Sequence, residues 1–327
     1  MLKTIGHEKN LDNLFNRYIS NNLANSILIY GPKGIGKKLL IYDLIYKIIS
    51  NNFNDNNLDH HLNLFNNNNH PNIKLVKKEI DTKTKKIKSN ITIDQIRNLK
   101  IFVNETQNIR NFNKFIIIDS ADDLNQSSSN SLLKTLEEPK LNTFIFLISH
   151  QISSLLPTLR SRCQKIKLNT LPYELFYKIL KSEIIEIKDE EIKFFFETTL
   201  GSPGDAISLY DNNILETLDL TLNVISNNNV NSNNTNLIET LSKYDNDTFK
   251  NYLSILKSTL ILIFKIKKNG IDFHINNSNK FEKILELSKN INEKKVFNRL
   301  EFLSKNEKDL FKLNLDKKMF LLNFITY

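Results

Sequence analysis

The 327-residue sequence predicts an α/β domain followed by an all-α region, and three observations carry that expectation. Short continuous apolar runs (within "SILIY", "KFIIIDSADDLN" and "TFIFLISHQ") alternate with helix-length segments as far as about Leu168, the pattern of a parallel sheet covered on both faces. Three of the seven glycines, Gly31, Gly34 and Gly36, fall within six residues directly after the first of these runs. A glycine turn joining a strand to a helix is the context in which backbone approaches a phosphate closely. After Leu168 strand-like runs stop, and apolar stripes at helical spacing continue to the C-terminus. The expected organisation is a phosphate-loop α/β domain over 1–168, a small helical domain over 169–212 and a larger helical domain over 213–327.

Each element has its own signal. "HEKNLDNLFNRYISNNLAN" places Leu11, Leu14, Phe15, Tyr18 and Ile19 at helical spacing. "SILIY" is a buried strand, and "KKLLIYDLIYKIIS" a helix that starts at the end of the glycine loop. Residues 51 to about 89 are polar and Asn-rich, reading as flexible loops around small elements, with "NIKLV" as a candidate strand. "TIDQIRNLKIFVNET" is amphipathic, turning Ile96, Leu99 and Phe102 or Val103 inward behind a cap at Thr92 or Asp94. "KFIIID" is a strand ending in acid, and "SSSNSLLKTLEEP" a helix stopped by Pro139. "TFIFLISHQ" and "KIKL" are the last strands, separated by the turn or short helix "LPTLRSRCQ". Three short helices lead to Asp211, and 227–236, "NNNVNSNNTN", reads as a polar spacer. The aromatic and leucine stripes beyond it are packing surface of a helical bundle.

Composition excludes several classes. Hydrophobic residues are 40% and charged residues 25%, as in ordinary globular proteins. No run approaches the roughly 18 apolar residues of a membrane span, and the N-terminus lacks the pattern of a secretory signal, so a cytoplasmic protein with no membrane contact is expected. Cys163 is the single cysteine, which excludes an internal disulfide and a multi-cysteine zinc site. The net charge of +9 permits contact with nucleic acid or an acidic partner without requiring it, because Asn, Lys and Ile share A/T-rich codons. His60, His61 and His70 have no carboxylate or cysteine at ligand spacing and read as solvated loop histidines.

The stretch "GPKGIGKK" carries the chemistry. In the pattern G-x-x-x-x-G-K-[ST], Gly31, Gly36 and Lys37 match, but Lys38 stands where a hydroxyl holds Mg²⁺. Loop N–H groups, with Lys33 and Gly34 on the same turn, can face phosphate oxygens, and Lys37 can neutralise them. An ammonium at position 38 cannot coordinate a metal. Asp119, ending its strand, sits where an acid binds that metal, while the next position holds Ser120, no general base near neutral pH. Asp122 and Asp123 read as caps of the following turn. Arg160 and Arg162 lie on a short turn before the last strand. They are either surface ion-pair partners or a cation offered to a neighbouring subunit's phosphates.

"GPKGIGKK", "IIIDSADDLN", "NSLLKTLEEP", "LPTLRSRCQ" and "GSPGDAISL" occur in the order found in bacterial DNA polymerase III clamp-loader subunits of the AAA+ class, and over about 1–212 the chain most resembles the delta-prime family. "HPNIKLV" followed by "ITIDQIRNL" is similar to its alpha-proteobacterial type. The resemblance implies an AAA+ phosphate-loop domain, a helical lid and a helical collar that joins motor ATPase subunits and delta in a pentameric ring. The ring would place a sliding clamp on primer-template DNA. It implies that Arg162, within Ser161-Arg162-Cys163, acts in trans on a neighbour's ATP. A first sensor falls at Ser149, and a second-sensor arginine is replaced by Gly204. ATP or ADP is at most a weak ligand of the degenerate loop, no zinc is expected, and the chain is expected to have no ATPase activity of its own. Any polymerase activity belongs to the holoenzyme. Two other hypotheses stand beside this one. A self-sufficient motor ATPase of the same superfamily predicts turnover by the isolated chain. A DNA-binding module predicts strongly salt-dependent DNA affinity.

Overall fold

The computed structural model describes residues 4–81, 87–105, 109, 112–211, 214–226, 232–269 and 279–327. The chain divides into two compact units, Met1–Leu171 and Pro172–Tyr327. The first runs α1 (Glu8–Ile19), β1 (Ser26–Tyr30), α2 (Lys37–Asn52), α3 (Asp55–Asn66), β2 (Ile73–Val76), α4 (Ile93–Asn104), β3 (Lys114–Ile118), α5 (Gln126–Glu137), β4 (Thr143–Ser149), α6 (Pro157–Ser161) and β5 (Gln164–Lys167). The strands form one sheet in the order β2-β3-β4-β1-β5, with every pairing parallel.

Unbroken apolar strands are what such a sheet requires, since successive side chains point to opposite, equally buried faces. Ile27, Ile29, Phe115, Ile117, Phe146 and Ile148 join Leu14, Leu40, Leu44 and Ile48 of α1 and α2 in one core. Leu28, Ile116, Ile118, Ile145 and Leu147 join Ile96, Leu99, Leu132, Leu136 and Leu159 of α4, α5 and α6 in the other. The register Leu28↔Leu147 and Ile116↔Ile145 keeps these sets on one face. A one-residue slip would exchange the two faces. Helix starts follow their local chemistry. Thr92 and Gln95 form a reciprocal capping box on α4, the Asn125 side chain accepts from Ser128 N at the start of α5, and Pro157 opens α6.

The stretch after α2 departs from the sequence-based expectation of loops. Asp55–Asn66 is a helix, because Leu58, Leu62 and Phe65 form a stripe that packs into the core beside α2. That burial overrides the poor helix propensity of its asparagines. His60 and His61 therefore lie on a helix, and His70 is not solvated. Its residue is 3% exposed, with its ring against Phe112 at 5.2 Å and His61 at 5.4 Å between centroids. His61 in turn stacks on Phe53 at 3.7 Å. Residues 82–86, also read as loop, lie outside the described residues.

The second unit is helical throughout its described residues: α7 (Tyr173–Glu183), α8 (Asp189–Thr198), α9 (Pro203–Asp211), α10 (Ile214–Ser226), α11 (Ser232–Ser242), α12 (Asn246–Asn269), α13 (Asn279–Asn290), α14 (Glu293–Lys312) and α15 (Lys317–Thr326). One apolar core runs from Phe176 and Phe195 through Phe249 and Tyr252 to Phe302 and Phe324. The boundary expected at 212/213 falls inside this unit. The expected spacer 227–236 is corrected at its end, where α11 already begins at Ser232; residues 227–231 lie outside the described residues. Arg299 of α14 is fully buried, donating from Nη1 to Ile225 O at 2.6 Å and from Nη2 to Ile325 O at 2.9 Å. It caps the C-terminal turns of α10 and α15, where a cation complements the helix dipoles. Among the described residues no helix is long and apolar enough to cross a membrane.

Candidate functional site

The glycine loop, Asp119 and Ser149 meet at the carboxyl edge of the parallel sheet, the edge at which open α/β sheets bind ligands. Two glycines explain why the loop needs that residue. Gly31 has φ +152°, and a Cβ there would lie 2.2 Å from Leu168 O, where the chain leaves β5. Gly36, the residue before α2, has φ +93°, with open space where a Cβ would stand. Its conformation alone selects glycine, and the N-terminus of α2 is left uncovered at that point. Gly34 lies on the same loop, and Lys33 beside it is exposed. Lys37 is buried at 3% exposure; its ammonium donates to Gly31 O at 2.8 Å and to Pro32 O. A phosphate drawn to Lys37 would exchange with these carbonyls.

Lys38 points to Asp119: Nζ and Oδ2 are 3.1 Å apart. The ammonium therefore occupies the partner position of the acid that a phosphate-loop enzyme reserves for Mg²⁺. With a cation at 38 and its carboxylate already paired, these residues do not fit a divalent ion. Ser120 donates its hydroxyl to Asp122 Oδ2 at 2.7 Å and stands where an acid would polarise water.

Asp122 does more than cap a turn, correcting the sequence-based expectation. Its carboxylate also accepts from Ser149 Oγ at 2.9 Å, His150 N at 2.6 Å, Gln151 N at 3.2 Å and Ser154 Oγ at 2.8 Å. This ties the loop after β3 to the end of β4. Burial pushes its pKa up, but the bonds from His150 N–H and the three serines outweigh that and leave it below the ordinary value. Ser149, expected as a first sensor, has its hydroxyl committed to Asp122, while its carbonyl accepts from Gly31 N at 3.3 Å.

His150 escaped the sequence analysis. Its Nδ1 is buried without a hydrogen-bond partner, and burial followed by the charge of Lys37 lowers its pKa, against the opposing pull of Asp122 and Asp119. Its signal was adjacency to Ser149 at a strand's end, which a single histidine does not announce. Among the described residues, no group of three His, Cys, Asp or Glu side chains is arranged to hold a metal ion.

Arg162 lies at the opposite edge of the sheet. It precedes Gln164, which pairs with Ile27 at the start of β1, whereas Gly31 meets Leu168 at the other end. At ~3.3 Å per strand residue the separation is on the order of 20 Å, well beyond an arginine's reach. Arg162 cannot serve its own loop. Nη1 donates to Thr158 O at 2.9 Å, Nη2 pairs with Glu137 Oε1, and the side chain is 32% exposed. The ion-pair alternative is thus realised within the chain. Arg160 has no ion-pair partner among the described residues. Cys163, beside it, is buried, and burial pushes its thiol up to about 11. Gly204, where the resemblance places a second sensor, is exposed on α9.

Residues 6–172 match the family model described as "DNA polymerase III, delta subunit". The DNA polymerase III subunit delta' of Haemophilus influenzae is 33% identical over 126 residues, 38% of this chain and 38% of that protein. The subunit delta' of Buchnera aphidicola from Acyrthosiphon pisum is 32% identical over 193 residues, 57% of this chain and 53% of its own length. The matches therefore span from about two fifths to about half of these relatives. A solved Thermotoga maritima protein, related to the DNA polymerase III gamma subunit, aligns over 96% of this chain and 97% of its own at 19% identity, with a TM-score of 0.43.

Proposed function

The chain belongs to the delta-prime family of DNA polymerase III clamp-loader subunits, and from that premise we propose that it is a stator: a ring member that does not hydrolyse ATP itself and lends Arg162 to a neighbour. In this reading it assembles with motor ATPase subunits and delta in a pentamer that places a sliding clamp on primed DNA. The phosphate loop is an inherited one, at which ATP or ADP would bind weakly and without turnover.

The Lys38–Asp119 ion pair carries the proposal. It substitutes an attached cation for the metal position, and Ser120 supplies no base in its place. Lys38 stands in the first turn of α2, directly after a loop whose backbone, at Gly31 and Gly36, otherwise keeps the required form. The distance of Arg162 from that loop supports an action on another chain. An arginine supplied in trans stabilises the charge that develops on a transferring phosphoryl group.

The test is clamp- and DNA-stimulated ATP turnover by the reconstituted loader with Arg162→Ala, alongside the isolated chain. The expected result is a loss of roughly tenfold or more, a threshold well below the ~10³–10⁵ an arginine finger can supply, with assembly intact and the isolated chain silent. Unchanged turnover removes the trans role. Turnover by the isolated chain would favour the motor reading instead.

A further inference from the structure

Glu137 is the last residue of α5, where its carboxylate meets the partial negative charge of the helix's terminal carbonyls. That placement is unfavourable in isolation. It becomes favourable through Arg162, whose Nη2 pairs with Glu137 Oε1 while Nη1 donates to Thr158 O at 2.9 Å. Arg162 is itself the cap residue directly after α6, so its cation lies at the C-terminal ends of two helices. A carboxylate and a carbonyl thus hold the fork of the guanidinium from inside the chain, and part of the side chain still faces outward.

The strength of this hold determines what it can do. Arg162 is 32% and Glu137 45% exposed, a degree of hydration at which ion pairs are weak. A single half-exposed carboxylate cannot keep the guanidinium from a polyphosphate carrying several charges. It can restrict the side chain's rotamers before the phosphate arrives, sparing the ordering cost that a free arginine meets on binding. We propose that Glu137 is a positioning residue for Arg162, orienting its guanidinium toward the anionic phosphates bound by a neighbouring subunit. This rests on the trans role of Arg162 proposed above.

A double-mutant cycle in the reconstituted loader tests it, with ATP as substrate and clamp and primed DNA present. Glu137→Ala is expected to lower kcat about two- to tenfold, the range of ordering one long side chain, and to leave KM for ATP nearly unchanged. Glu137→Gln, which keeps an oxygen for Nη2, should restore much of the loss. In an Arg162→Ala background, Glu137→Ala should add nothing. The same loss in both backgrounds would mark a folding role and overturn the inference, as would wild-type turnover in Glu137→Ala. Faster turnover in Glu137→Ala would reveal a restraint instead, and also overturn it. If Arg162→Ala alone has no effect, the trans reading falls and takes this inference with it, whereas an effect of Arg162→Ala without one from Glu137→Ala removes only the inference. Size-exclusion chromatography of each assembly separates these results from failure to assemble.

Discussion

Acidification should destabilise the first unit through His70. Its imidazole is buried between Phe112 and His61, and burial, followed by the charges of His61 and His60, lowers its pKa from 6.5 to about 4. In the unfolded chain the same ring takes a proton near 6.5. Between those values the unfolded state binds the proton and the folded state does not. Stability is therefore complete above pH 6.5, falls as pH drops toward 4, and loses nothing further from this group below that. The whole interval is worth about 3 kcal/mol, of which about 2 kcal/mol is gone at pH 5. The comparison is urea unfolding at pH 7.5 and 5.0 for the wild type and His70→Asn, followed by hydrogen-exchange mass spectrometry of peptides from β2 and β3. The amide oxygen of the variant can still accept from Asn72 N, as Nδ1 does at 3.2 Å. The variant should be less sensitive to the pH change than the wild type by about 2 kcal/mol. Equal sensitivity would refute the assignment, since other histidines with lowered pKa values, His7, His61 and His150, remain in both proteins.

Two further predictions concern polar groups that organise each unit. Asp122→Ala strands the buried Ser149 hydroxyl and the His150 N–H, and should cost the first unit about 2–4 kcal/mol in urea unfolding, with Asp122→Asn in between. A cost below about 0.5 kcal/mol would mean water replaces the carboxylate. Arg299→Met uncovers the terminal carbonyls of α10 and α15 and should destabilise the second unit by about 2–3 kcal/mol, with faster exchange at the end of α15. Unchanged exchange there would show that packing alone secures that helix.

Much of the first unit could be read from local pattern. The strands β1, β3 and β4 are near-continuous apolar runs, and the glycine loop stands between a strand and a helix because backbone geometry leaves few alternatives there. The mismatch at Lys38 was equally plain from residue type. What stayed hidden depends on contacts between distant parts of the chain. Asp122 meets Ser149 across 27 positions, and Glu137 meets Arg162 across the α5–β4–α6 connection, with no spacing rule to announce either. The helix α3 was obscured for another reason. Its asparagines lower intrinsic propensity, while the stripe Leu58, Leu62 and Phe65 that drives it is brief enough to be overlooked. His70 followed the same misreading, since a histidine in an apparent loop gives no sign that the rings of Phe112 and His61 will enclose it.

The Lys38–Asp119 contact has a property that a bound metal never has: its cation cannot diffuse away. A divalent ion arrives and departs with nucleotide and responds to chelators and to the cell's magnesium supply. A lysine on the neighbouring turn is supplied at a concentration set by the chain itself. Asp119 consequently has its counter-ion built into the chain. In the proposed ring, whose other members would alternate between loaded and spent forms, such a site would register neither condition. It would give that ring one position that keeps still, against which the movements of the others could be exerted.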